Sequence, residues 1–360
     1  MRFSRSRTLQ EKFRGSKGVR TSRLMLYAGP RGWENIEYQE LLASAEEDPR
    51  ISEVVPVTAS ARWRSLHCAL QLLLARPSHF FYDPRWGAQS RFWGFLEGRL
   101  LSAILTMLHC VPISLLNNLP ERGWRRKISL VNGKRGICLV LVSPEVGATF
   151  APEIVDQVGP IPMPFSASRL ENLKMEWRDY DDHASESGIE ISFVGSLYEP
   201  RASILKNAKE KLAEVGVELL ISGRELQNSK IGPEQYFSLL SRSPHTFTTA
   251  EQALTASEDS FPIHLVYRYI EALAAGTLLI APAVEGAEQY FIPGVHFLES
   301  PNLLHLSEEV PSKLRDGELV RTIRNAGRER VEELVKSGFF WSRINTELLA
   351  RNRPGLFIDA

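Results

Sequence analysis

His264, Arg268 and Glu271 stand four and three residues apart in the stretch SFPIHLVYRYIEALAAGTLLIAP, Ser260 to Pro282. On one face of a helix they form a group with clear chemistry. The carboxylate accepts hydrogen bonds from hydroxyls, and the guanidinium and imidazole donate to an anion. The local sequence predicts that helix. Ser260 is an N-cap residue type, and Pro262 suits a first turn, where its missing N–H costs little. Gly276 supplies a left-handed stop. Ile263, Val266, Ile270 and Leu273 recur at three- and four-residue steps and form a stripe to bury. At about 100° per residue, His264, Arg268 and Glu271 fall together on another side. The helix start, Ser260 to His264, is expected to face an anionic ligand with unpaired N–H groups. Thr277 to Ala281 is short and wholly apolar, as in a strand buried on both faces of a parallel sheet. The plain alternative for Arg268 and Glu271 is a solvated pair worth about 0.3 kcal/mol. The residues C-terminal to the pair speak against it: small residues, Gly276, an apolar strand, Pro282, then an acidic and aromatic loop ending in Phe291 and Gly294.

A second group follows another apolar run, Phe193-Val194-Gly195-Ser196, with Arg201 in the next turn. Gly195 lets backbone approach a ligand, and the Ser196 N–H with a helix start suits a phosphate; a simple tight turn is the other reading. Neither GxxxxGK[ST] nor a full GxGxxG occurs, which disfavours a triphosphatase or an ordinary dinucleotide site. GxSxG, HExxH and clustered metal ligands are also missing, and no metal site is expected. Asp83, in FFYDPRWG, is either a general base or a turn residue. His67, His79, His109 and His183 stand alone and read as structural or exposed.

These groups need a scaffold. With 360 residues the chain is long enough for two domains, 43% hydrophobic residues fill their cores, and 24% charged residues is ordinary for a soluble protein. Formal net charge is zero, so no whole-chain field draws nucleic acid. Residues 1–23 hold eight Lys or Arg and one acid, Glu11. They lack the apolar core of a secretory signal and read as a basic disordered leader, solvated, with a charge that also suits anionic lipid. Cys68, Cys110 and Cys138 are far apart in apolar surroundings, consistent with buried thiols in a reducing cytoplasm. Leu100 to Leu119 is interrupted by His109, Pro112 and two asparagines, which disfavours a membrane span but leaves room for contact with a membrane surface.

Strands are predicted at Leu24–Ala28, Val54–Val57, His79–Tyr82, Pro112–Leu116 and Ile137–Leu141, with helices at Glu34–Glu47, Ser65–Leu74 and Phe92–Leu108. Such alternation implies a doubly wound parallel sheet. Its ligand rim would gather Gly29–Gly32, Asp83–Trp86 and Asn117–Asn118. Residues 24–165 form the first domain, Gly159 to Phe165 crosses over, and 166–188 is a polar linker. A second alternating block runs over 189–338, with strands at Ile189–Gly195, Glu218–Ser222 and Thr246–Thr248 and helices at Arg201–Val215, Pro233–Ser241 and Leu319–Val335. An aromatic-rich helix, Phe340 to Arg351, lies in 339–360 and returns to the first domain. The expected ligand site is the cleft between the two blocks.

FVGSLYEPRASIL, YFSLLSRS, YRYIEALAAGTLLIAP, YFIPGVHFL and EVPSKLRDGELVRTIRNAGRERV follow one another in a fixed order. Over about residues 187–350 this resembles the C-terminal domain of group 1 glycosyltransferases of the GT-B fold, nearest to their spore-maturation-type branch. The resemblance implies two Rossmann-like domains facing a cleft. It also implies transfer of a sugar from a nucleoside-diphosphate donor to a hydroxyl of a glycan, lipid-linked or protein acceptor, without a metal or cofactor, at a cytoplasmic or membrane-peripheral site. Glu271 would hold the ribose hydroxyls. Gly195 and Ser196 would lie by the phosphates, with Arg201 and Arg268 balancing their charge, and Gly286 and His264 near the donor. Four positions depart from the family pattern. Ile263 stands where a second Glu is common, and no Lys follows Gly195. Glu285-Gly286-Ala287 replaces a glycine pair, and Asn117 and Asn118 stand where an N-domain His is frequent. A silent GT-B scaffold binding a glycan or protein, and a GT-B sugar epimerase, therefore stay open beside the transferase reading.

Overall fold

The computed structural model describes residues 22–28, 36–58, 64–84, 91–116, 122–177, 189–196, 201–224, 233–248, 263–300 and 303–357. Gly29–Gly32, Trp86, Asn117–Asn118, Ser260–Pro262 and residues 1–21 of the leader lie outside the described residues.

The first half alternates β1 (Arg23–Ala28), α1 (Ile36–Glu47), β2 (Glu53–Thr58), α2 (Arg64–Ala75), β3 (His79–Tyr82), α3 (Arg91–Met107), β4 (Val111–Leu116), α4 (Arg122–Asn132), β5 (Ile137–Val140), α5 (Pro144–Phe150) and β6 (Gln157–Val158). The second half runs α6 (Ala167–Lys174), β7 (Ile189–Ser196), α7 (Arg201–Glu214), β8 (Val217–Arg224), α8 (Pro233–Arg242), β9 (His245–Phe247), α9 (Arg268–Ala274), β10 (Leu278–Ala281), β11 (Leu298–Glu299), α10 (Leu303–Glu308), α11 (Val310–Leu314), α12 (Gly317–Lys336) and α13 (Phe339–Ala350). Two wholly parallel sheets result, ordered β2-β1-β3-β4-β5-β6 and β11-β10-β9-β7-β8. Strands β3, β4, β5 and β10 are buried throughout, which is why they read as largely apolar runs, with His79 and Ser114 as buried polar exceptions. Strand order reverses between β1 and β3 in the first sheet and between β7 and β9 in the second. Such reversals open a crevice beyond the strand ends. Asp83 follows β3, and Gly195-Ser196 ends β7.

Two expectations need correction. The helix expected from Ser260 begins only at Arg268, and residues 263–266 run without helix. The Leu265 N–H donates to the Leu141 carbonyl at 2.7 Å, so this segment is bound to the end of β5. Leu265 is buried in the same core, where Ile263 and Val266 also pack. Their apolar spacing reflects a seam between sheets rather than a helix face, and β-branched residues tolerate the extended backbone well. The expected linker, in turn, opens with α6. Ser166 caps that helix, and its N–H and Oγ donate to Glu40 Oε2 at 2.9 and 2.6 Å. The cysteines are free and buried, and no described helix is long and apolar enough to cross a membrane.

One core joins the two sheets. Helix α13 lies on the first sheet, with the rings of Phe340 and Trp341 centred 6.5 and 6.3 Å from that of Phe81 in β3. The indole of Trp341 donates to Ser44 Oγ at 3.2 Å, and Arg50 donates to Ser342 Oγ at 2.9 Å. A cavity of about 370 Å³ is lined by α1, Pro164, Phe165 and the turn between α12 and α13. Glu271 is not among its lining residues.

His245 yields a stability prediction. Its ring is buried in β9 with Nδ1 2.7 Å from the Glu190 carbonyl. Burial, with Arg324 nearby, pushes its pKa down to about 4. A neutral imidazole therefore favours the fold at and above its ordinary pKa of 6.5, and this contribution is lost as the pH falls from there toward 4. On the order of 3 kcal/mol should disappear across that window. Denaturant midpoints of the wild type and of His245→Gln, compared at each pH, should diverge in slope; parallel slopes would remove the imidazole from the account.

Candidate functional site

Helix α9 is short and held at its C-terminal end. Its C-terminal carbonyls are the groups that a helix leaves unpaired. The Trp177 indole donates to the Ala274 carbonyl at 2.9 Å. Arg324 and Arg328, both from α12 and both buried, donate to the Gly276 carbonyl, and Arg328 lies 4.9 Å over the Trp177 ring. Cations at a helix C-terminus also complement its dipole. Gly276 is left-handed at φ +74°, as its position after the helix predicts. A Cβ there would lie 2.7 Å from Trp177 Cδ1 and 2.9 Å from Arg328 Nε. Gly276→Ala should therefore cost about 2–4 kcal/mol, combining backbone strain with displaced neighbours. An unchanged chemical-denaturation midpoint would refute the tightness of this clamp.

So held, α9 presents Arg268 and Glu271 one turn apart toward α8. Tyr236 Oη donates to Glu271 Oε2 at 2.6 Å, and Arg268 Nε donates to the same oxygen at 3.2 Å. The Arg268 guanidinium lies 5.1 Å over the Tyr236 ring. A Cβ on Gly195 would come 3.7 Å from Arg268 Nη2, so the end of β7 reaches the same place. Gly195, Tyr236, Arg268 and Glu271 thus converge at the reversal point of the second sheet.

Glu271 is 5% exposed, and burial raises its pKa while Arg268 and Tyr236 pull it back. This buried ion pair is not the solvated one that local spacing allows. Both hydrogen bonds to Glu271 end on Oε2, and Oε1 has no donor among the described residues. Arg268 Nη1 is likewise buried with no partner among them. A buried donor left unpaired costs about 1–3 kcal/mol, so such atoms are poised for a ligand. One free acceptor and one free cationic donor on paired side chains suit a molecule with hydroxyls near an anionic group.

The other expected residues are distributed differently. His264 is buried in the seam, not on the α9 face. Gly286 is left-handed at φ +81°, and a Cβ there would touch Pro160 Cδ at 3.0 Å and Ser143 Cβ at 3.8 Å, so its loop abuts the first sheet's end. Asp83 is fully buried directly after β3, with Tyr82 and Cys138 as electrostatic neighbours. Ser196 ends β7 and Arg201 opens α7, but their side chains lie outside the described residues. Tyr236 is the functional side chain that sequence reasoning missed. It stands inside the motif YFSLLSRS, yet nothing in its spacing marks it until Glu271 lies opposite.

Residues 201–336 match the glycosyl transferase-like family model. No curated protein sequence matches the chain. Among solved structures, sucrose-phosphate synthase from Thermosynechococcus elongatus is similar over 91% of this chain and 99% of its own, at 14% identity and TM-score 0.58. A glycosyltransferase from Rickettsia africae is similar over 92% and 99%, at 9% identity and TM-score 0.53. HepE from Anabaena, solved in complex with UDP, is similar over 91% and 100%, at 11% identity and TM-score 0.52. At these identities the likeness shows the fold, two Rossmann-like domains of GT-B type. The chain therefore has a GT-B architecture, and its residues 201–336 resemble a glycosyl transferase-like domain.

Proposed function

We propose that this protein moves a sugar from a nucleoside-diphosphate sugar to an acceptor hydroxyl. The observation that carries the reading is the pairing of a half-satisfied buried carboxylate, Glu271, with an unpartnered guanidinium nitrogen, Arg268 Nη1. Glu271 Oε1 accepts from the ribose diol, and Arg268 with the backbone at Gly195 holds the diphosphate. In the reaction the bond from the sugar C1 to the β-phosphate oxygen breaks, and its electron pair leaves with the diphosphate. The acceptor oxygen bonds to C1 and gives up its proton to a general base, the role for which Asp83 is the candidate, or to the departing diphosphate. Arg268 stabilises the charge that collects on the leaving phosphate, and enclosure in the cleft orients both substrates. Arg201, the first residue of α7, assists in this reading, and no metal is invoked. Asp83, which directly follows β3 at the reversal point of the first sheet and is buried as Glu271 is, stays the candidate general base in this reading.

A glycan, a lipid-linked saccharide or a protein side chain serves as acceptor in this reading, with polysaccharide or glycoconjugate synthesis as the setting. The order of motifs supports placement in the spore-maturation-type branch. UDP is the first nucleotide to try, since HepE was solved with it. Calorimetric titration with UDP-, GDP- and ADP-linked sugars tests the donor site, and binding of none of them sinks it. One observation favours a silent scaffold: Ile263, at the position of the common second Glu, packs into the core. Transfer of radiolabelled sugar to an acceptor separates a silent scaffold from an enzyme.

A further inference from the structure

We propose that the outward face of α2 and α3 docks this protein onto a bilayer containing anionic lipid. The proposal stands on a different surface from Glu271 and does not depend on the donor site. Both helices are apolar on two sides. Inward, Cys68, Leu72, Leu101 and Leu105 pack with Tyr27 and Phe80 of the first sheet. Outward, Leu70 and Leu74 on α2, and Phe92, Trp93, Leu96 and Met107 on α3, are exposed, with Leu74 at 68% and Trp93 at 63%. Nine of the fifteen large exposed hydrophobic side chains among the described residues lie on these two helices, which makes a patch rather than ordinary scatter. The helices pack on each other, so their stripes adjoin.

Charge selects the occupant. The sequences of α2, α3 and the neighbouring α4 hold seven Arg or Lys and a single acid, Glu97; Lys127 is buried and Arg125 pairs with Glu153, while Arg99 and Arg126 are exposed. Glu97 is buried and accepts from the Tyr27 hydroxyl at 3.1 Å, so no carboxylate faces outward from these helices. The guanidinium groups of Arg99 and Arg126 each lie 5.3 Å from the Phe95 ring, where α3 meets α4 beside the stripe. In a chain of zero net charge this cationic, aromatic and aliphatic face is segregated. Such a composition suits the interface of an anionic bilayer, where apolar side chains enter the headgroup boundary and cations meet lipid phosphates. A second copy related by a two-fold axis would instead bring like charges together.

The full-length chain is tested by co-sedimentation with phosphatidylcholine vesicles and with vesicles holding roughly one-third phosphatidylglycerol. Binding to the anionic vesicles alone is expected, weakening as salt is raised. Leu70→Glu with Leu96→Glu should weaken it about tenfold or more, as should Arg99→Glu with Arg126→Glu, with melting temperature preserved because all four side chains are exposed. Absence of binding overturns the proposal. So does full retention in the leucine pair, which assigns the lipid contact to the basic leader. A doubling of mass by light scattering that the leucine pair abolishes, without vesicle binding, assigns the face to a second copy and also overturns it.

Discussion

Glu271→Gln should remove most nucleotide-sugar affinity while leaving the protein folded. Gln keeps the size of Glu and can still accept from Tyr236, but it loses the charge that Arg268 faces. Its amide also replaces one carboxylate oxygen with a donor, so the ribose diol loses a charged acceptor. Hydrogen bonds to a charged group contribute about 1.5–3 kcal/mol each, so a loss of about 2–4 kcal/mol is expected, or roughly 30- to 1,000-fold in Kd. Calorimetry with the best nucleotide sugar measures it, and a Kd within about threefold of wild type would remove Glu271 from the ribose. The wild type should also lose affinity on acidification earlier than an ordinary carboxylate would imply. Burial raises the Glu271 pKa, so the proton that blocks Oε1 arrives at a higher pH. Truncation to Ala is a poorer probe, because it leaves Arg268 buried without its counter-ion.

Arg268→Lys should leave nucleoside recognition in place and lower kcat by roughly 100- to 1,000-fold, the usual cost of removing one donor from developing charge. Arg268 does two things at once: Nε binds Glu271, and Nη1 remains for a ligand. A single ammonium cannot reproduce that fork, although it retains the charge that Glu271 needs. The readout is the affinity ratio of nucleoside diphosphate to nucleoside monophosphate, which should collapse in the variant while monophosphate binding stays near wild type. An unchanged ratio would show that the phosphates lie elsewhere, and Arg201 would be next to examine.

The sequence was most informative where burial was uniform. Phe80–Tyr82 and the strand ending at Ala281 are short apolar runs because they are buried throughout, so their position follows from composition. It was least informative where a segment answers to a distant partner. The apolar spacing of Ile263 and Val266 imitates a helix, but the Leu141 carbonyl takes the backbone of Leu265. Residues 167–174 look like polar linker, yet Glu40, more than a hundred residues earlier, anchors the cap of α6. Within the site, Arg268, Glu271 and Gly195 were legible because guanidinium, carboxylate and glycine have few substitutes in that chemistry. Tyr236 was hidden because a tyrosine on an amphipathic helix fits core packing equally well.

Helix α13 also constrains how the chain is made. Phe81 leaves the ribosome some 260 residues before Phe340 and Trp341, the rings that cover it. Until α13 is synthesised, that face of the first sheet lacks part of its native cover, although α1 already packs there. Exposed apolar surface of this kind invites aggregation, so prompt docking of α13 favours productive folding. For the same reason the first sheet cannot be cut away as a self-sufficient module at the point where the second begins.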